Sequence, residues 1–175
     1  CVPAREVGGD YYDFLPLDEY RVGVLIADVS GKGTSAALYM AELKGLVLSL
    51  SEIHRSPRDL LIAANRIIAK HLDARSFITM TYGIVDLAAR TFTFARAGHC
   101  PLLYLPGSET ASGATRIIAP DGMVLGLTLD RDLRASTSAS TLSDARIVCS
   151  TRSETGAEAT VASAAAPGAA VDSAT

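Results

Sequence analysis

The sequence predicts an α+β fold in which antiparallel β-hairpins are combined with two helices. Three observations carry that prediction. Two strand-like segments, around Asp10–Phe14 and Val22–Ala27, are separated by a short polar turn; two stretches beginning near residues 34 and 56 carry helical patterns; and from Phe77 the apolar period switches to two.

The first segment, Gly8-Gly9-Asp10-Tyr11-Tyr12-Asp13-Phe14, is strand-like because its aromatics suit a pleated surface while the two glycines disfavour helix. Leu17-Asp18-Glu19-Tyr20 turns the chain. Val22-Gly23-Val24-Leu25-Ile26-Ala27 then reads as a buried strand, broken at once by Asp28-Val29-Ser30-Gly31-Lys32-Gly33. Thr34 or Ser35 is expected to cap a helix running through Ala36–Lys44, with the apolar stretch Leu43–Leu50 beyond.

A second helix is announced by Ser56-Pro57-Arg58-Asp59, which sets a capping hydroxyl, a proline at the first helical position and an acid in the first turn. Leu60, Ala64, Ile67, Ile68 and His71 follow on one helical face, with His71 at the C-terminal end, where its charge suits the helix dipole. Ile78, Met80, Tyr82 and Ile84 then alternate with Phe77, Thr79, Thr81 and Gly83 as a strand. Asp86–Arg90 turns into a strand with Phe92 and Phe94 on one face, and Pro101–Leu105 supplies another, which together predict an antiparallel meander.

Chemistry concentrates at Asp10 and Asp28. If the first two strands pair, both carboxylates meet over one small volume at strand ends. Mg²⁺ and Mn²⁺ prefer oxygen ligands, and one or two carboxylates with waters suffice to hold Mg²⁺. The residues alone leave open the plainer reading that Asp10 ends a turn and Asp28 caps the helix.

The words GGDYYDF, ADVSGKGTSAALYM, SFITMTYGIVD and AGHCPLLYL occur in this order between about residues 3 and 130. As a set they resemble the SpoIIE/RsbU-type branch of the PPM (PP2C-like) serine/threonine phosphatases. The resemblance implies an α-β-β-α sandwich, two antiparallel sheets with helices outside, incomplete here at both ends. It implies that Asp10 and Asp28 are metal-bridging carboxylates, that Val29 offers its backbone carbonyl to a metal, and that two Mn²⁺ or Mg²⁺ ions activate a water for in-line attack on phosphoserine or phosphothreonine. No side chain then acts as nucleophile. The substrate would be a phosphorylated regulatory protein, such as an anti-sigma-factor antagonist in bacterial signalling, and sensor domains often precede such a phosphatase.

Asp13, an odd number of positions from Asp10 on a strand, is expected to face away from the metals and to act through hydrogen bonds. His99, in Ala97-Gly98-His99, matches a similar family word that is usually followed by Asn or Pro, where this chain has Cys100. It is read as shaping a loop that borders the substrate cleft, with proton transfer as the other option.

The family's Thr-Asp-Gly word, which supplies a further ligand, does not occur in this sequence. Residues 1–134 are read as the incomplete phosphatase domain. Residues 135–175 lack aromatics and are dominated by Ala, Ser and Thr, so a largely disordered tail is expected there, arising by truncation or frame shift. Within it, Ala145-Arg146-Ile147-Val148-Cys149-Ser150 is a candidate strand. The N-terminus is expected to be clipped from a longer regulator. The missing ligands motivate an alternative: an inactive phosphatase-like domain that docks a partner.

Composition narrows the classes. A 175-residue chain with 49% hydrophobic residues suits one core, and 16 basic against 19 acidic residues, net −3, give no electrostatic reason for nucleic-acid binding. No stretch is apolar enough to span a bilayer and no signal peptide opens the chain, so a cytoplasmic protein is expected. Cys1, Cys100 and Cys149 lack metal-ligand spacing and are expected as thiols. Gly31-Lys32-Gly33-Thr34 is no P-loop, since Ser or Thr must follow the lysine directly, and Ser30 lacks the Gly-x-Ser-x-Gly frame of a serine hydrolase.

Overall fold

In the computed structural model, β1 (Asp10–Pro16) and β2 (Arg21–Val29) form the expected hairpin. Asp18 builds its turn, with one carboxylate oxygen accepting from the Tyr20 and Arg21 backbone N–H groups at 3.1 and 2.8 Å, the other from the Arg21 guanidinium. The structure describes residues 8–105 and 115–127, together with the strand backbones of Thr137–Thr141, Ala145–Val148 and Ser163–Ala164.

Two helices follow, α1 (Thr34–Ile53) and α2 (Pro57–Ile68). Ser56 caps α2 as its sequence implies, its side chain accepting from the Asp59 N–H with Pro57 in the first turn. The start of α1 differs from expectation. Gly33 is the N-cap residue, no side chain caps the helix, and Thr34 and Ser35 already lie within it. The apolar face of α2 also differs slightly: Leu60, Leu61, Ala64 and Ile68 are fully buried, whereas Ile67 lies outside the stripe, 39% exposed. His71 lies beyond the end of α2, its Nδ1 meeting the Glu42 carboxylate of α1, so a contact to the neighbouring helix serves it rather than the dipole alone.

Next come β3 (Ile78–Asp86) and β4 (Thr91–Ala97), joined by a turn in which the Asp86 carboxylate accepts from Ala89 N–H. The chain then leaves this sheet. β5 (Leu102–Leu105) pairs with β6 (Arg116–Ile118) and β8 (Ala145–Val148), not with β4. The expected meander thus stops at β4. Gly98, at φ 67°, lies so close to Val124 that a Cβ would stand 2.3 Å from its Cγ1, and the chain crosses to the second sheet through this crowded bend.

With β7 (Thr137–Thr141) and β9 (Ser163–Ala164), the result is a five-stranded sheet, β1-β2-β3-β4-β7, and a four-stranded sheet, β6-β5-β8-β9, with antiparallel pairing between neighbours. β7 and β9 fall in the segment expected to be disordered. There the backbone pairs as strand, β7 along β4 and β9 along β8, since a ladder of backbone hydrogen bonds does not need large side chains. β8 coincides with the candidate strand. The rest of 135–175 and residues 1–7 lie outside the described residues.

Alternation divides the larger sheet into two faces. Tyr11, Leu15, Leu25, Ala27, Val29, Ile78, Met80, Tyr82 and Ile84 point to the helices, where they pack with Leu43, Val47, Leu60 and Ile68. Ile26, Val85, Phe92 and Phe94 point to the second sheet and meet Leu102, the two phenylalanines stacked 5.3 Å apart. No helix among the described residues is long and apolar enough to cross a membrane. Cys100 is a free thiol; Cys1 and Cys149 lie outside the described residues.

Candidate metal centre

The β1–β2 register pairs Asp10 with Asp28. Directly opposed residues of an antiparallel pair share a face, with Cβ atoms about 4.5–5.5 Å apart. Since Tyr11 and Ala27 point to the helices, both aspartates project from the inter-sheet face at its end. β3 extends the row, because Thr79 is the partner of Asp28 on its other side.

Electrostatics mark the pair. Burial raises the Asp28 pKa from 3.8 to about 6, and the neighbouring Asp10 charge adds to the effect. Burial likewise holds the Asp10 pKa above its ordinary value. Two half-buried carboxylates that disfavour each other's charge suit a cation between them, which would restore both to the ionised form.

Backbone completes the corner. The Val29 N–H donates to the Gly9 carbonyl at 3.3 Å, and a Cβ at position 9 would stand 2.8 Å from the Val29 carbonyl oxygen. A glycine here leaves that oxygen its room. The donors are thus carboxylate and carbonyl oxygens, which fit a hard divalent cation such as Mg²⁺ or Mn²⁺. Among the described residues, no group of three or more His, Cys, Asp or Glu side chains gathers around an ion-sized volume.

Asp13 is on the other face. Its carboxylate accepts from the Tyr11 hydroxyl at 2.7 Å and lies 3.5 Å from Lys44 Nζ of α1, while Lys44 also sits 5.4 Å from the Tyr11 ring centre. This small network ties β1 to α1.

His99 is buried, 4% exposed, with Nδ1 2.8 Å from Thr79 Oγ1. Arg96 fixes the bend around it, donating from Nη1 to the His99 carbonyl at 3.0 Å and from Nε to the Pro120 carbonyl at 3.2 Å. Sequence reasoning reached Asp10, Asp28, Val29 and His99 but not Thr79 or Arg96. Thr79 reads as one more alternating strand residue, and only the register of β3 against β2 shows that it continues the carboxylate row.

The family described as Stage II sporulation protein E (SpoIIE) matches residues 18–151. The phosphoserine phosphatase RsbU of Bacillus subtilis (strain 168) is 37% identical over 133 residues, covering 76% of this chain and 38% of that protein. The phosphoserine phosphatase RsbP of the same organism is 28% identical, covering 76% of this chain and 33% of its own length. The chain therefore spans well under half the length of these curated relatives. Among solved structures, the RsbU and RsbW domains of Rv1364c from Mycobacterium tuberculosis superpose with a TM-score of 0.68 at 24% identity, over 83% of this chain and 39% of that one. RsbX in complex with magnesium gives 0.68 at 17% identity, over 85% and 68%. These structural likenesses speak for the fold.

Proposed function

This chain belongs to the SpoIIE family, as a domain of the SpoIIE/RsbU-type PPM phosphatases, and from that premise we propose that it is a metal-dependent protein serine/threonine phosphatase. The observation that carries the reading is the register that sets Asp10 against Asp28 on the inter-sheet face. A divalent cation held there supplies Lewis-acid polarisation of a phosphoryl oxygen and makes water acidic enough to serve as nucleophile at neutral pH.

The chain's own residues have three tasks. Asp10 and Asp28 hold the ions, Mn²⁺ or Mg²⁺, with the Val29 carbonyl as a neutral oxygen donor. β1, β2 and β3 keep those oxygens at fixed positions, so little reorganisation accompanies charge development on the phosphate. His99, held by Arg96 and Thr79, shapes the cleft border. Asp13 acts through the helix layer only.

The substrate we assign is a phosphoserine or phosphothreonine of a regulatory protein in the cytoplasm, of the anti-sigma-factor antagonist class. Support comes from the relatives named phosphoserine phosphatase. A second reading, a catalytically impaired domain that docks a partner, is favoured by one sequence observation: β8 is followed by Cys149-Ser150-Thr151-Arg152 in place of Thr-Asp-Gly.

Hydrolysis of a phosphoserine peptide, followed by phosphate release in Mn²⁺ and after chelation, separates the two. The phosphatase reading expects release that needs Mn²⁺ and is lost in Asp10→Asn. If the chain binds Mn²⁺ yet releases no phosphate, the docking reading stands. Release indifferent to chelation and to Asp10→Asn overturns the metal centre itself.

A further inference from the structure

The register row does not end at the two carboxylates. Asp10, Asp28 and Thr79 are successive cross-strand partners on β1, β2 and β3, and the row continues through the Thr79 Oγ1–His99 Nδ1 contact at 2.8 Å. His99 is itself buried and its carbonyl is held by Arg96, whose own position on β4 is opposite Thr81. A partly buried polar chain of this kind needs a reason, because valine would fill the place of Thr79 without asking for a partner.

We propose that Thr79 and His99 are positioning residues for Asp28: His99 donates from Nδ1 to Thr79 Oγ1, and the Thr79 hydroxyl hydrogen is thereby directed across the strand to the outer oxygen of the ionised Asp28 carboxylate. A hydroxyl has one proton to give and two lone pairs to receive. Once the imidazole occupies one lone pair, the rotor is fixed and the proton has one productive direction. A carboxylate held by such a donor keeps its other oxygen aimed at a cation, the part that partners of metal ligands ordinarily play. Cross-strand Cβ spacing of about 5 Å places a hydroxyl and a carboxylate within hydrogen-bonding reach of each other. The inference rests on the reading of Asp10 and Asp28 as cation ligands.

The test is calorimetric titration of Mn²⁺ into the full chain, with melting of the metal-free protein as a control for folding. Thr79→Val keeps the shape and removes the hydroxyl; it is expected to weaken Mn²⁺ binding roughly 10-fold, while Thr79→Ser restores binding to within about 3-fold of the parent. His99→Ala is expected to weaken binding similarly, and the double variant no further, because the two act as one unit. Thr79→Val binding Mn²⁺ as the parent does, or penalties that multiply in the double variant, would overturn the proposal while leaving the metal centre intact. A parent chain that binds no Mn²⁺, or binds it equally as Asp28→Asn, would overturn the metal centre and this inference with it.

Discussion

Asp10 and Asp13 lie three residues apart on one strand, yet they live in different chemical worlds. Asp13 faces the helices and is satisfied there by the Tyr11 hydroxyl and the Lys44 ammonium. Asp10 faces the second sheet, opposite another carboxylate, with burial raising its pKa. The same side chain is structural on one face and chemical on the other, and the pleat alone decides which. Acidic count near a motif therefore says less than parity along the strand.

The sharpest way to break this contrast is to neutralise each carboxylate in turn. Asp28→Asn removes half of the facing pair and is expected to lower Mn²⁺-dependent phosphate release by about 10²–10³-fold, the scale seen when a preorganised electrostatic group is lost. Asp13→Asn leaves a neutral acceptor for Tyr11 and weakens only a partly exposed ion pair with Lys44, worth about 0.5 kcal/mol. Release rates for the two variants should differ by at least about 10²-fold. Equal losses would show that both faces serve the reaction.

A second contrast uses one substitution at two glycines. Gly9→Ala would set its methyl 2.8 Å from the Val29 carbonyl oxygen and 3.1 Å from the Val29 Cβ, so the corner that holds Asp10 and Asp28 must shift. Overpacking of this kind costs about 1–3 kcal/mol, or roughly 2–4 °C in melting temperature per kcal/mol, and should weaken Mn²⁺ binding as well. Gly45→Ala lies on an exposed turn of α1 with open space around it, and should stabilise by about 0.5–1 kcal/mol through helix propensity. Thermal melts of both variants check the pair. A Gly9→Ala chain as stable as the parent would mean that the Val29 carbonyl is not held in the place described.

The contrast also explains what was legible in the sequence. Period-two alternation around Ile78–Ile84 and the turn residues near Asp18 report local geometry, so the β1–β2 hairpin, β3 and the cap of α2 could be read directly. The Asp10–Asp28 pairing followed because one short turn fixes the register of a hairpin. Thr79 could not be reached that way, since about 50 residues and both helices separate β2 from β3, and no local pattern sets the register of such a pair. The departure of β5 to the second sheet was hidden for the same reason: it depends on Gly98 packing against Val124, a contact between distant segments. β7 gives little apolar signal in the sequence because it is built of Ala, Ser and Thr, whereas its pairing with β4 is made by backbone.

The finest distinction between the two faces is one of proton binding. In the fold the Asp28 pKa is about 6 against an ordinary 3.8, so between these values the folded chain holds more protons than the unfolded one. Stability of the metal-free protein from this group is then greatest below about pH 4 and declines as pH rises to about 6, beyond which the loss is complete. For a half-buried carboxylate the decline amounts to about 1 kcal/mol after solvent screening. Mn²⁺ competes with that proton, so its affinity should climb over the same interval and level off above it. Melting the metal-free parent and Asp28→Asn at intervals from pH 4 to 7 isolates the contribution, because every other titrating group is common to both. The parent should lose stability relative to the variant as pH rises; curves that run parallel would mean that Asp28 is solvated like any surface acid, and that the inter-sheet face does not differ from the helix-facing one in this respect.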